Sequence, residues 1–151
     1  MSSTESLRIL VVEDEILIAL ELESLLQDVG HAVVGIAASS REAIDAGSQL
    51  KPDLAFVDIH LADGPTGVDV ARRLNQMGIT VLFMTANAKR IPEDYAGALG
   101  VISKPYTERG VRQALDYATT RDRGGQAVPA KDSMTFIPFE SCSRGGSSKS
   151  A

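Results

Sequence analysis

The sequence predicts an α/β domain, a five-stranded parallel sheet doubly wound by helices in a (βα)5 order. Three observations lead there. Five short aliphatic runs alternate with stretches whose apolar residues recur at helical spacing. Three of the runs are apolar without polar alternation beyond their first residues, as strands covered on both faces are. Right-handed crossovers, nearly obligatory between parallel strands, then place helices on both sides of the sheet.

The first strand is LRILVV (7–12). Ile18, Leu22, Leu25 and Val29 follow at i, i+4, i+7 and i+11, one stripe of an amphipathic helix. HAVVGIA (31–37) is the second strand, and the segment 40–50 opens on Ser40 with Glu42 in its first turn, which suits a helix start. DLAFV (53–57) is the third strand, followed by Val70, Ala71, Leu74 and Met77 at helical spacing. ITVLFM (79–84) is the fourth. Pro92 prohibits a continuous helix through NAKRIPEDYAGALG, so the fourth helix is expected to shrink to about two turns from Pro92. GVIS (100–103) is the fifth strand, and Val111, Ala114, Leu115 and Ala118 mark the last helix. The continuously apolar strands, 7–12, 53–57 and 79–84, are expected at the centre of the sheet.

Composition limits the function classes. A chain of 151 residues, 44% hydrophobic and 23% charged, fits one globular domain rather than a disordered or membrane protein. No basic flank leads into an apolar run at the amino end, and no run approaches the ~20 residues needed to span a bilayer, so the expected location is the cytoplasm. Cys142 has no partner for an internal disulfide, and His31 and His60 are too few and too far apart for a zinc site. The net charge of −5 argues against direct DNA binding. It is unevenly spread: Arg123, Lys131, Arg144 and Lys149 against Asp132 and Glu140 make residues 123–151 +2, which leaves −7 on residues 1–122. The reading is a domain over 1–122 and a flexible, Gly- and Ser-rich tail over 123–151. The tail's one apolar knot, MTFIPF, is a candidate to dock on its own domain or on a partner, with plain disorder as the alternative.

The stretch KPDLAFVDIH poses the functional question. A carboxylate at the end of a buried strand, Asp58, costs several kcal/mol unless something compensates it. In such sheets ligands bind beyond the carboxyl ends of the strands. There the sequence places Glu13-Asp14-Glu15 after the first strand, Asp58 after the third, Thr85 after the fourth and Lys104-Pro105 after the fifth. Crowded carboxylates repel unless a cation sits among them, and carboxylate, water and phosphate oxygens suit Mg²⁺. Glu13, Asp14 and Asp58 carry −3, which Mg²⁺ and Lys104 balance. A neutralised carboxylate can attack phosphorus, with Thr85 and Lys104 contacting the phosphoryl oxygens.

With VVEDE, FVDIH, FMTAN and SKPYT in this order, the chain resembles the receiver domains of two-component response regulators over residues 7 to about 121. The resemblance implies a flavodoxin-like sheet of strand order 2-1-3-4-5. It makes Asp58 the phosphoacceptor, Glu13 and Asp14 the acidic pair for Mg²⁺, Thr85 the switch hydroxyl and Lys104 the phosphate-binding lysine, with a cis Lys104–Pro105 bond. His60 matches the position whose backbone carbonyl completes the metal shell, and Asn87, two past the threonine, joins it in tuning access of water. Many receivers have an aromatic residue three before the lysine; this chain has Val101, with Tyr106 just after the lysine. That combination resembles an atypical branch of single-domain regulators. The implied bistable element is then residues 86–91 with the short helix from Pro92 to Leu99.

The resemblance implies partners as well: a sensor histidine kinase or histidine phosphotransfer protein as donor, and a downstream protein target. The expected role is that of a stand-alone phosphoacceptor signalling domain, not an enzyme, acting by protein contact or in a phosphorelay. The alternative is a pseudo-receiver that binds proteins without phosphorylation. Among the remaining residues, Glu15 reads as a first-turn helix residue, His31 as a partly buried strand start, and Gly64 and Gly67 as shaping a loop and helix entry.

Overall fold

The computed structural model describes residues 6–85, 97–103, 107–122 and 136–138. Its strands are β1 (Arg8–Val12), β2 (Ala32–Ala37), β3 (Leu54–Asp58), β4 (Thr80–Thr85), β5 (Gly100–Ser103) and β6 (Phe136–Pro138). Among the described residues the helices are α1 (Ile16–Asp28), α2 (Ser40–Leu50), α3 (Gly67–Gln76) and α4 (Glu108–Asp122). The sheet order is β2-β1-β3-β4-β5-β6. The first five strands are parallel in the expected order 2-1-3-4-5, with the three continuously apolar runs at its centre. The expected fourth helix lies mostly outside the described residues.

One strand was not expected. Phe136–Pro138, from the MTFIPF knot of the tail, pairs antiparallel with β5 in the register Gly100↔Pro138, Val101↔Ile137 and Ile102↔Phe136. The rest of the tail lies outside the described residues.

Strand alternation divides the core in two. Leu10, Val12, Ala55, Val57, Val81, Phe83 and Val101 face α2 and α3, while Ile9, Val11, Leu54, Phe56, Leu82, Met84 and Ile102 face α1 and α4. Every residue of β3 is buried, which is why the run shows no polar alternation. The helices sit close to their expected stripes. On α1 the most buried positions are Ala19, Leu22 and Leu26, so the stripe is rotated slightly from the one read through Ile18, Leu25 and Val29. Val70, Ala71 and Leu74 of α3 are buried, but Met77 follows the helix as its C-cap and is exposed. The second helix opens at Ser40 with Glu42 in its first turn, as expected, and Ser39 caps it: the Ser39 hydroxyl accepts from the Glu42 N–H, and the Glu42 carboxylate accepts from the Ala38 N–H.

His31 closes the turn from α1 into β2. Its Nδ1 accepts a 3.0 Å hydrogen bond from the Leu7 N–H, which requires that nitrogen to be unprotonated. Desolvation lowers its pKa below the ordinary 6.5, with Asp116 pulling the other way. The fold thus favours the neutral ring. Its contribution is complete above about pH 6.5 and is lost as pH falls below that value, where the unfolded chain takes up the proton first. Urea unfolding between about pH 7 and about pH 5 should therefore show a steeper loss of stability in the parent than in His31→Gln.

Candidate functional site

The site lies where β1, β3 and β4 end together. Val12 pairs with Val57 and Asp58 with Met84, so the residues that follow β1 arrive beside the last residue of β3. Glu13 and Asp58 are 1% and 6% exposed, whereas Asp14 is exposed. Thr85, the last residue of β4, is also buried. Glu13, Asp14 and Asp58 each offer an oxygen, and the three oxygens lie within 4.8 Å of one another.

Local backbone explains how the carboxylates are held. The Glu13 N–H donates to the Ala37 carbonyl at 2.8 Å, fixing the exit from β1 against the end of β2. The Glu13 carboxylate in turn accepts from the Glu15 N–H at 3.1 Å. Glu15 is therefore the N-cap of α1 rather than a residue within its first turn. The Asp58 carboxylate accepts from the His60 N–H at 3.2 Å, and the Ile59 N–H reaches the Met84 carbonyl. Asp53, at the other end of β3, shows what a structural aspartate looks like here: it is exposed and accepts from the Arg8 N–H across the strand gap.

Sequence reasoning missed two supports. Gly67 was read as a loop and helix-entry residue, but it is a close-approach residue. A Cβ there would overlap the Asp58 carbonyl oxygen and lie 2.5 Å from Ile59 Cα, and the Gly67 N–H already donates to the Ile59 carbonyl. The second is Asp63, whose carboxylate accepts from the Ser40 N–H and hydroxyl and from the Thr66 hydroxyl. These bonds, led by that of the Ser40 hydroxyl, hold its pKa below the ordinary carboxylate value. Asp63 thereby ties the loop after Asp58 to the start of α2, and the Ala62 N–H adds a bond to the Ala38 carbonyl. The signal was present in ADGPTG only as turn chemistry; the partner, Ser40, is 23 residues away.

The donor set fits a hard divalent cation. All three donors are carboxylate oxygens, gathered within 4.8 Å of one another, the ligand chemistry that Mg²⁺ takes. His60 is exposed on the loop beside them, where Ile59, His60, Pro65 and Val68 line an open recess of about 370 Å³. Lys104, the Lys104–Pro105 bond, Tyr106, Asn87 and the segment 86–91 lie outside the described residues.

Comparison with known proteins agrees with this fold. The family model for the response regulator receiver domain matches residues 9–116. The phyllosphere-induced regulator PhyR of Methylorubrum extorquens is 36% identical over 113 residues, 73% of this chain and 42% of that protein. The transcriptional regulatory protein PdtaR of Mycobacterium tuberculosis is 30% identical over 120 residues, 77% of this chain and 58% of that protein. The chain thus spans about half the length of these two relatives. The chemotaxis protein CheY of Thermotoga maritima is 30% identical over 72% of this chain and 94% of its own length. Among solved structures, the PhyR receiver domain of Erythrobacter litoralis superposes with a TM-score of 0.69 at 35% identity, over 82% of this chain and 97% of that one.

Gly67 carries the prediction of this geometry. Gly67→Ala should lower stability by about 2–3 kcal/mol, because the overlapped atoms belong to backbone that cannot rotate away. It should also weaken Mg²⁺ binding by shifting Asp58. Urea denaturation and a Mg²⁺ titration of the folded variant check the two effects.

Proposed function

The chain belongs to the response regulator receiver domain family, a family of signalling domains, and from that premise we propose that it accepts a phosphoryl group on Asp58 from a phosphohistidine donor. The observation that carries this reading is the convergence of the Glu13, Asp14 and Asp58 oxygens within 4.8 Å, at strand ends that bury Asp58 beside Thr85. Glu13, Asp14 and Asp58, with the His60 carbonyl, would hold Mg²⁺. The bound cation supplies positive charge to the carboxylates and to the incoming phosphoryl oxygens.

The chain's own residues do the rest. An Asp58 carboxylate oxygen attacks phosphorus as the phosphorus–nitrogen bond of the donor breaks, and the electron pair leaves with the imidazole nitrogen, which takes a proton from solvent. The hydrogen bond from the His60 N–H orients the nucleophile. Thr85 and Lys104 contact the transferred oxygens and stabilise their charge. The donor is a sensor histidine kinase or histidine phosphotransfer protein, and the output is contact with a protein target, in the cytoplasm. An apolar surface supports docking of a protein beside the site: Ile16, Leu17 and Leu20 are 58%, 74% and 46% exposed on the first turns of α1, directly after the acidic pair. Among the described residues no helix is long and apolar enough to cross a membrane.

Incubation with Mg²⁺ and acetyl phosphate should yield an acid-stable, hydroxylamine-labile adduct on the parent and none on Asp58→Asn. A parent that forms no adduct would leave the pseudo-receiver as the remaining reading; an adduct on Asp58→Asn at the parental rate would place the acceptor elsewhere. Asparagine keeps an oxygen for the His60 N–H while removing a charge from the cluster. Without Mg²⁺, Asp58→Asn should therefore melt no lower than the parent and gain about 3 kcal/mol, the scale of one relieved repulsion at an effective dielectric of about 20.

A further inference from the structure

β6 differs from every other strand of the sheet. It is antiparallel, three residues long, and reaches β5 from the far side of the thirteen residues 123–135 that follow α4. Pro138 has no N–H, so Phe136 and Ile137 supply all the backbone donors β6 has. Three cross-strand pairs barely offset the entropy of ordering the residues that make them. What β6 covers is a strand edge of the kind that invites pairing with another chain. Val101 and Ile102 beneath it are buried, at 1% and 0% exposure.

The same strand is connected to the site. Asp58 pairs with Met84, Met84 with Ile102, and Ile102 with Phe136, so one cross-strand row runs from the acceptor to the tail. At the usual strand spacing it is about 14 Å long. Thr85 pairs with Ser103 one residue beyond this row, and Lys104 follows Ser103 in the chain.

We propose that the outer edge of β5 is a strand-addition surface that the chain keeps closed with its own Phe136–Pro138, and that occupancy of the Asp58 site opens it. This rests on the phosphoacceptor reading above. Engaging Thr85 and Lys104 draws the carboxyl ends of β4 and β5 toward the phosphoryl oxygens. Of the strands bound to β5, β6 has the fewest residues and the fewest donors, so it gives way first. The short connection keeps the resident segment at high local concentration, which closes the edge in the resting state. The partner that fits the opened edge is an extended segment of the resident kind, apolar and aromatic like Met134–Phe139, read through main-chain hydrogen bonds. Linkage makes the effect reciprocal: whatever factor the occupied site takes from β6 docking, loss of β6 must return to the affinity of the site.

The test uses the full chain, Mg²⁺ with beryllofluoride as the phosphoryl mimic, and a fluorescent peptide of residues 131–141 as the strand probe. A bound beryllofluoride signal in fluorine NMR of the parent first establishes the site. With the mimic bound, amides of 100–103 and those of Phe136 and Ile137 should exchange about tenfold faster, those of 9–12 and 54–57 should not change, and the peptide should bind about tenfold more tightly. Combining Phe136→Pro with Ile137→Pro removes both donors of β6. That variant should bind the peptide without the mimic and bind beryllofluoride about tenfold more tightly than the parent. Bound mimic with unchanged or slower exchange at β5 and β6 overturns the gating, and a double-proline variant that ignores the peptide overturns the strand-addition surface. If the parent binds no beryllofluoride, the phosphoacceptor reading fails and the gating with it, while peptide binding to the double-proline variant still decides the edge.

Discussion

The structure depends on a repulsion held in place. Glu13 and Asp58 are buried, belong to neighbouring strand ends, and bring oxygens within 4.8 Å of each other. Two charges at that distance, at an effective dielectric of about 20, oppose each other by roughly 3–4 kcal/mol. That is a large fraction of the 5–15 kcal/mol by which a typical domain is stable. A structural aspartate has no need of such a position, as Asp53 shows at the wet end of the same strand. The chain holds the cluster together by making its surroundings hard to move. β1 and β3 run in continuous register, β3 is buried from end to end, and Gly67 lets α3 press directly on the backbone of Asp58 and Ile59. Were a cation bound among these oxygens, relief of the repulsion would appear as binding energy.

The two-layer core determines what can move. Alternate residues of each central strand face opposite helix layers, so a shift of β3 would have to disturb both cores at once. The loop after Asp58 is tied to α2 through Asp63, Ser40 and the Ala62 N–H. These bonds make the Glu13–Asp58 side of the site a rigid frame. On the Thr85 side, beyond β4 lies β5, four residues long, and beyond that β6, three residues long. The strands thus shorten from β4 outward, while β1 and β3 are held between two helix layers.

Much of this was legible in the residues, because the signals are local. A continuous apolar run marks a strand covered on both faces, and a stripe at helical spacing marks a helix on one; both periods survive without knowledge of the partner. The placement of Glu13, Asp14, Asp58 and Thr85 at strand ends followed from the same runs, since a parallel sheet brings its carboxyl ends to one edge. What escaped was set by distant neighbours. Gly67 looks like any turn glycine until Asp58 and Ile59 are seen behind it, and Asp63 looks like a turn aspartate until Ser40 arrives from another crossover. The start of α2 at Ser40 was legible, whereas its cap, the Ser39 hydroxyl, is identified only by the backbone geometry before the helix. Met77 continued a helical spacing beyond the end of its helix, where periodicity persists but burial does not.

β6 was the hardest element to read, since three residues in a Gly- and Ser-rich segment carry no period at all; an edge strand is defined by the edge it meets. Its register gives Val101 a meaning that the sequence alone did not. Val101 lies between Phe83 on β4 and Ile137 on β6, buried, at the position where many receivers carry an aromatic side chain that turns inward. A valine has one χ angle and too little volume to make that turn, so a side-chain rotation at this place cannot report the state of the site. In this chain the position is instead the middle of a three-residue ladder. Its neighbour on one side is a core strand of six residues, and on the other a strand of three. Replacing a rotating ring by a backbone pairing would transfer the report from a side chain to a strand edge, where it can be read by another extended chain.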